Sequence, residues 1–291
     1  MSLLARLILV ALALAGLAGR ASAQQPPTLV FTAIPDEDET RLVERFTGVA
    51  KYLEAKLGVP VQYLPVKTYP ASVTAFTNNQ VQLAWFGGFS GVQARLAVPG
   101  SDAIARGLED AAFKSFMIAN VATGLKPQAE FPKDIAGKSF TFGARTSTSG
   151  RVYPEHFIRG AFPGKTPEQV FSRVGFSGDH TKTIQLVQSG AYDVGMLDYL
   201  VWQLDVKAGK VDASKVQVIW ESPTFPDYHW VVRGDVDKGL GAGFKDKLTA
   251  ALLGFDDARL LGFFGRSKFV PARNEDYKVV EEVGRQAGLL N

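Results

Sequence analysis

Four consecutive hydroxyl side chains, Thr146, Ser147, Thr148 and Ser149, followed by Gly150, are the part of this chain best equipped for chemistry. An alternating apolar run with Phe140 and Phe142 reads as a strand leading into them. Tyr153, Phe157 and Ile158 are spaced for one apolar face of a helix leading out. Hydroxyls and unpaired backbone amides at a helix N-terminus make a cradle for a tetrahedral oxyanion. The same residues also read as an ordinary Ser/Thr cap in a polar loop, and the loop alone leaves both readings open.

Other chemistries find less in the sequence. The three histidines, His156, His180 and His229, are scattered without metal-ligand spacing, and cysteine is absent. There is no G-x-S-x-G elbow, no H-E-x-x-H pair and no GxxxxGK[ST] loop. No cofactor or metal is therefore expected and no catalytic residue is named. Serine, histidine and aspartate are all present, so an enzyme or a sensory module on a two-lobed fold stays open as a different class of function.

The elements that must position the loop follow a repeating order. Leu29 to Ala33 is β-compatible, and Leu42, Val43, Phe46, Val49, Ala50, Leu53 and Leu57 recur at helical spacing before Gly58. Further strands are predicted at 59–63 and 81–86, with helices at 69–78 and 90–97, giving β-α-β-α-β-α. The pattern restarts after a strand at 116–121. Strands are predicted at 139–142, 170–176, 194–197, 216–220 and 228–232, and helices at 150–158, 180–188, 199–206, 245–253 and 277–287. The acidic run Asp36-Glu37-Asp38-Glu39 reads as a solvated helix start. The outcome is an α/β chain of two lobes, each a mostly parallel sheet with flanking helices. Crossings near 119–125 and 222–230 form a hinge. Lobe 1 is expected to take residues 28–120 and 228–291, and lobe 2 residues 121–227. Ligands of open α/β sheets bind at the carboxyl ends of the strands, which two lobes can bring face to face.

Residues 1–23 read as an export signal: Arg6, an apolar stretch from Leu7 to Leu17, and Ala21-Ser22-Ala23 before Gln24. Without cysteine there is no lipoprotein attachment and no disulfide, which predicts a protein diffusing freely in a periplasm. The whole chain has 291 residues, with 32 Lys+Arg against 29 Asp+Glu. The signal carries Arg6 and Arg20 and no acid, so the mature chain is near neutral, against a nucleic-acid or anionic-membrane partner. No later apolar run is long enough to insert in a membrane.

Set together, Phe31-Thr32-Ala33-Ile34-Pro35-Asp36-Glu37, Gln82-Leu83-Ala84-Trp85-Phe86-Gly87-Gly88, Phe142-Gly143 through Ser147-Thr148-Ser149-Gly150, Phe176-Ser177-Gly178-Asp179-His180 and the tail from Lys268-Phe269-Val270-Pro271 to Ala287-Gly288-Leu289-Leu290 carry a resemblance. The chain resembles the periplasmic phosphate/phosphite/phosphonate-binding proteins of ABC importers, including relatives described as selenate-binding. The resemblance implies a type II periplasmic-binding fold that closes on an oxyanion and hands it to the transmembrane subunits of a permease, acting as a monomer without turnover. It places Ser147, Thr148 and Ser149 in the anion loop and His180 against the anion from the second lobe. It puts Tyr69 as a first-lobe aromatic contact, Trp85 and Phe86 where the first lobe meets the cleft, and Asp198 at a strand end facing the ligand. Tyr228 and Trp230 would wall the pocket from the return crossing. Asp198 also reads as the N-cap of the helix at 199–206. Inside the pocket its carboxylate would repel a bare dianion such as sulfate or selenate. It would accept the O–H of a protonated phosphorus oxyanion.

Overall fold

The computed structural model describes residues 27–290, so the expected export signal lies outside the described residues. Eleven strands build two sheets. The first has the order β11-β4-β10-β3-β1-β2, from β1 (Leu29–Ala33), β2 (Val61–Tyr63), β3 (Leu83–Phe86), β4 (Asp102–Gly107), β10 (His229–Val232) and β11 (Phe269–Pro271). The second has the order β7-β6-β8-β5-β9, from β5 (Ser115–Asn120), β6 (Ser139–Phe142), β7 (Arg173–Phe176), β8 (Val194–Asp198) and β9 (Val216–Glu221).

The two-lobed α/β fold stands, but the sheets are mixed rather than mostly parallel. β2, β1 and β3 run parallel, as do β7, β6 and β8, while β10, β11, β5 and β9 all pair antiparallel. Parallel neighbours need a crossover, which the helices within each lobe provide. β5 and β10 are reached by the interlobe crossings instead, and enter their sheets reversed. The lobe seam also moves. Ser115–Asn120, expected to end lobe 1, pairs with β8 and β9, so the first crossing falls before Ser115 rather than near 120.

Helix α1 (Glu39–Leu57) is capped by Asp38, whose side chain accepts the Arg41 amide, and ends at Gly58 with φ 73°, a left-handed turn suited to glycine. Its Phe46 and Leu53 are buried on the first sheet. The same lobe holds α2 (Tyr69–Thr77) and α3 (Gly88–Ala97), which pack on each other. The second lobe holds α4 (Tyr153–Ala161), α5 (Pro167–Val170), α6 (His180–Gln188) and α7 (Tyr199–Lys207). The chain then returns for α8 (Val236–Leu240), α9 (Phe244–Leu253), α10 (Ala258–Phe264) and α11 (Lys278–Gln286). An aromatic core of Phe31, Phe46, Trp85, Trp230 and Phe264 anchors the first lobe, each full burial stabilising by roughly 1.5–3 kcal/mol. Phe140, Phe142 and Phe171 do the same for the second.

Candidate functional site

The hydroxyl loop follows β6 at its carboxyl end, and its roles are divided. The Ser147 Oγ accepts the Gly150 amide at 3.0 Å and caps a single π-helical turn, Thr148–Val152, that leads into α4. The Thr148 Oγ1 accepts the Phe89 amide at 3.0 Å, joining the loop to α3 of the other lobe. The Ser149 Oγ and Thr146 Oγ1 are buried without a partner. The first amides of the turn have no acceptor within it. A side chain at Gly150 would come within 3.1 Å of the His180 ring and 3.0 Å of the Ser147 Oγ, so glycine allows this close approach. The cap reading is met by the Ser147 Oγ, while the Ser149 and Thr146 hydroxyls of the same loop carry no partner.

His180 opens α6, after Asp179, which caps that helix through the Lys182 amide. Its own amide donates to the Asp36 carbonyl of the first lobe at 2.8 Å, and its Nδ1 accepts the Asp198 amide at 3.3 Å. The Nε2 is left as the ring N–H, buried and unpartnered. Burial lowers the imidazole pKa to about 4, so the ring is a neutral donor.

Asp198 meets its cap reading with one carboxylate oxygen and leaves the other unpartnered. Oδ1 caps α7 by accepting the Leu200 amide at 2.6 Å and the Val201 amide at 3.2 Å, while Oδ2 is buried without a partner. Burial raises this carboxyl to about 6 against the opposing pull of Arg266 and the two amides.

Two more carboxylates, missed in the sequence, face the same space. Asp36, at the carboxyl end of β1, leaves Oδ1 unpartnered and is pushed up to about 7 by burial, with Glu37 and Asp198 adding to the rise. The run 36–39 is therefore not a solvated helix start: Asp36 and Glu37 are 3% and 4% exposed, and only Asp38 acts as the cap. Asp227 accepts the Gly88 amide on Oδ1 at 2.8 Å, leaves Oδ2 unpartnered, and is raised to about 7 by burial. The signal for Asp36 was its place at a strand end; for Asp227 it was adjacency to Tyr228.

The Tyr69 hydroxyl lies beside Ser147, and the Tyr228 hydroxyl beside Asp36 and Asp198, each without a hydrogen bond of standard geometry. Trp85 stacks on Tyr228 at 5.6 Å between centroids and forms the layer behind it. Phe86 sits edge-on to Phe76 at 5.7 Å, and Trp230 packs on Phe31 and Phe46; both are core side chains. The flanking arginines turn elsewhere, Arg145 over Phe176 at 4.1 Å and Arg151 over Phe142 at 4.4 Å. A cavity of about 610 Å³ between the lobes, lined in part by Lys67, Tyr69, Arg145 and Lys182, borders the enclosed site at Tyr69.

Buried polar atoms without partners are costly unless something satisfies them. Here they come from both lobes and include donors (the Ser149 and Tyr228 hydroxyls and the His180 Nε2) and acceptors (the Asp36, Asp198 and Asp227 oxygens). This composition is suited to a small polar solute that both accepts and donates hydrogen bonds.

The architecture and the enclosed polar site are those of a two-lobed solute receptor. The chain belongs to the family described as ABC transporter, phosphonate, periplasmic substrate-binding protein, whose model matches residues 31–277. It is 38% identical over 278 residues to the probable ABC transporter phosphite binding protein PhnD1 of Prochlorococcus marinus, with 91% of each chain covered. The solved structure of that protein in complex with methylphosphonate superposes with a TM-score of 0.87, at 37% identity, covering 91% of this chain and all of that one. A binding-protein component of a phosphonate transporter from Pseudomonas aeruginosa shares the fold, with a TM-score of 0.77 at 20% identity over 90% of this chain and 87% of that one. Among the described residues no helix is long and apolar enough to cross a membrane.

Proposed function

We propose that this chain captures a small, protonated phosphorus oxyanion, phosphite or methylphosphonate, between its lobes in the periplasm and delivers it to the permease of an ABC importer without turning it over. The Ser147-Thr148-Ser149 loop binds the anion through its amides and the Ser149 hydroxyl, and His180 donates from Nε2. The Tyr69 and Tyr228 hydroxyls donate from the first lobe. The observation that carries the reading is the unpartnered Asp198 Oδ2 among these neutral donors. With Asp36 and Asp227 beside it, the site demands protons: an ionised carboxylate accepts the ligand O–H, and a protonated one donates to a ligand oxygen. Sulfate and selenate bring no proton at neutral pH and would meet uncompensated negative charge. The likeness to a phosphite-binding protein seen with methylphosphonate supports the same ligand class. On this reading the export signal is cleaved after Ala23 and the mature protein works as a monomer.

The test is calorimetric titration of ligand-stripped protein at one pH with phosphite, methylphosphonate, phosphate, 2-aminoethylphosphonate, sulfate and selenate. Micromolar or tighter binding of phosphite or methylphosphonate, with sulfate and selenate silent, is expected. Tight selenate binding would place Asp198 outside the ligand contacts and make this a sulfur or selenium oxyanion receptor.

A further inference from the structure

Arg266 is a buried cation that makes no hydrogen bond to any proposed ligand group, yet it is joined to the pocket from behind. It lies between α10 and β11, with its side chain 4% exposed. Its Nη2 donates to Asp110 Oδ1 at 2.7 Å and its Nε to Asp110 Oδ2 at 3.1 Å, a two-pronged fork. A third donor, Nη1, reaches the Phe264 carbonyl. The guanidinium sits 4.7 Å from the Tyr228 ring centroid and 5.6 Å from those of Trp85 and Phe113. Cations over desolvated aromatic faces are attracted to the ring quadrupole.

The two anchors of this arginine lie on the two interlobe crossings. Asp110 is on the first, where its Oδ2 also accepts the Gly107 amide at 2.9 Å and its carbonyl accepts the Asp227 amide at 3.0 Å. Tyr228 is on the second, with its hydroxyl beside Asp36 and Asp198. One planar side chain thus fixes the ring whose far end enters the pocket. We propose that Arg266 is a positioning residue for ligand capture: clamped by Asp110, it holds the Tyr228 ring by stacking and so sets the Tyr228 hydroxyl between Asp36 and Asp198, where it meets the bound anion. This rests on the ligand reading above. A lysine would keep the charge but not the fork or the planar stack.

The experiment is a double-mutant cycle on the full mature chain, with Arg266→Lys, Tyr228→Phe and the pair, titrated with methylphosphonate and with phosphite, and with thermal midpoints recorded for each. Arg266→Lys should weaken binding about three- to tenfold, in keeping with roughly 1 kcal/mol per lost hydrogen bond. In the Tyr228→Phe background the same change should cost less than twofold, because the hydroxyl it positions is gone. Equal losses in both backgrounds, or unchanged affinity in Arg266→Lys, would overturn the proposal. Should a variant fail to fold, Arg266→Gln with Asp110→Asn removes both charges while leaving the pair able to hydrogen-bond. Its affinity must then fall at least threefold, and unchanged binding overturns the idea equally. If the unmutated protein binds neither anion, the ligand reading fails, a result distinct from additivity in the cycle.

Discussion

His180 and Asp198 fix each other's hydrogen-bonding role. The imidazole Nδ1 takes the Asp198 backbone amide at 3.3 Å, so the ring's proton must lie on the buried, unpartnered Nε2, while the Asp198 side chain is free to cap α7 with one oxygen and leave the other unpartnered. One residue of the second lobe thereby presents a donor and its neighbour an acceptor.

The first expectation concerns that tautomer. With its pKa lowered by burial to about 4, His180 should remain neutral and Nε2-protonated from pH 5.5 to 8. Long-range ¹H–¹⁵N spectra of selectively labelled protein read this directly. An imidazolium signature at pH 7 in the ligand-free protein would rule it out.

The divided hydroxyl loop separates binding from stability. Ser149→Ala removes an unpartnered hydroxyl and should weaken phosphite binding by about 1.5–3 kcal/mol with little change in melting temperature. Ser147→Ala removes a cap and should cost about 1 kcal/mol of stability. Paired calorimetry and thermal melts on the two variants distinguish the roles; a large stability loss in Ser149→Ala would contradict them.

Asp198→Asn preserves an acceptor for the α7 cap but replaces the inward Oδ2 with a neutral group. Phosphite and methylphosphonate should bind at least tenfold more weakly, while selenate and sulfate lose an electrostatic barrier and bind no worse than before. Parallel titrations measure the ratio. An equal effect on both ligand classes would show that Asp198 is not a proton acceptor for the ligand.

The buried carboxylates give a defined pH dependence. Asp36 and Asp227, both raised to about 7, bind protons more tightly folded than unfolded. Their contribution to stability is complete below the ordinary carboxylate range and is lost as pH rises through 7. His180 and His229 have lowered pKa values, so their contribution is complete above the ordinary histidine pKa and fades only toward acid. Ligand-free protein should therefore lose about 1 kcal/mol per carboxylate between pH 6 and 8.5. Asp227→Asn, which keeps an acceptor for the Gly88 amide, should flatten that slope. Denaturant melts at the two pH values check the sign; a slope unaffected by the substitution would refute it.

Closure has a second fastening away from the ligand. Arg41 on α1 donates to Glu37 and, across the lobes, to Asp205 on α7, both at 2.6 Å, and the Asp205 side chain is 1% exposed. Removing one partner of a buried pair acts mainly on dissociation. Asp205→Asn should speed methylphosphonate release roughly three- to tenfold, about 1 kcal/mol. Stopped-flow measurement of the off-rate is the check, and an unchanged rate would remove this pair from the closure energetics.

Much of the fold was legible because it rests on local pattern. The 3.6-residue recurrence from Leu42 to Leu57, the alternation at Phe140 and Phe142 and the cap at Asp198 each act within a few residues of chain. The strands around the crossings were less so: the direction and sheet of β5 and β10 depend on where the chain re-enters, which no local period encodes. Helix α4 likewise begins one turn later than its periodicity indicates, because the preceding turn is π-helical to let Gly143 and Gly150 approach, with their N–H···O bond at 2.8 Å.

The sequence by itself determined the two-lobed α/β plan, the hydroxyl loop at a strand end and the presence of His180 and Asp198 at helix starts, since those follow from residue type and spacing. Only the tertiary structure decided which oxygen of each residue caps a helix and which is left without a partner. It also brought Asp36 and Asp227 into the same enclosed space and set Arg266 behind Tyr228. Those outcomes turn on burial and on contacts between residues 59 to 156 positions apart, as in Thr148 with Phe89, Asp227 with Gly88 and Arg266 with Asp110. Desolvation then gave the carboxylates their raised proton affinity, a property set by their surroundings rather than by their place in the chain.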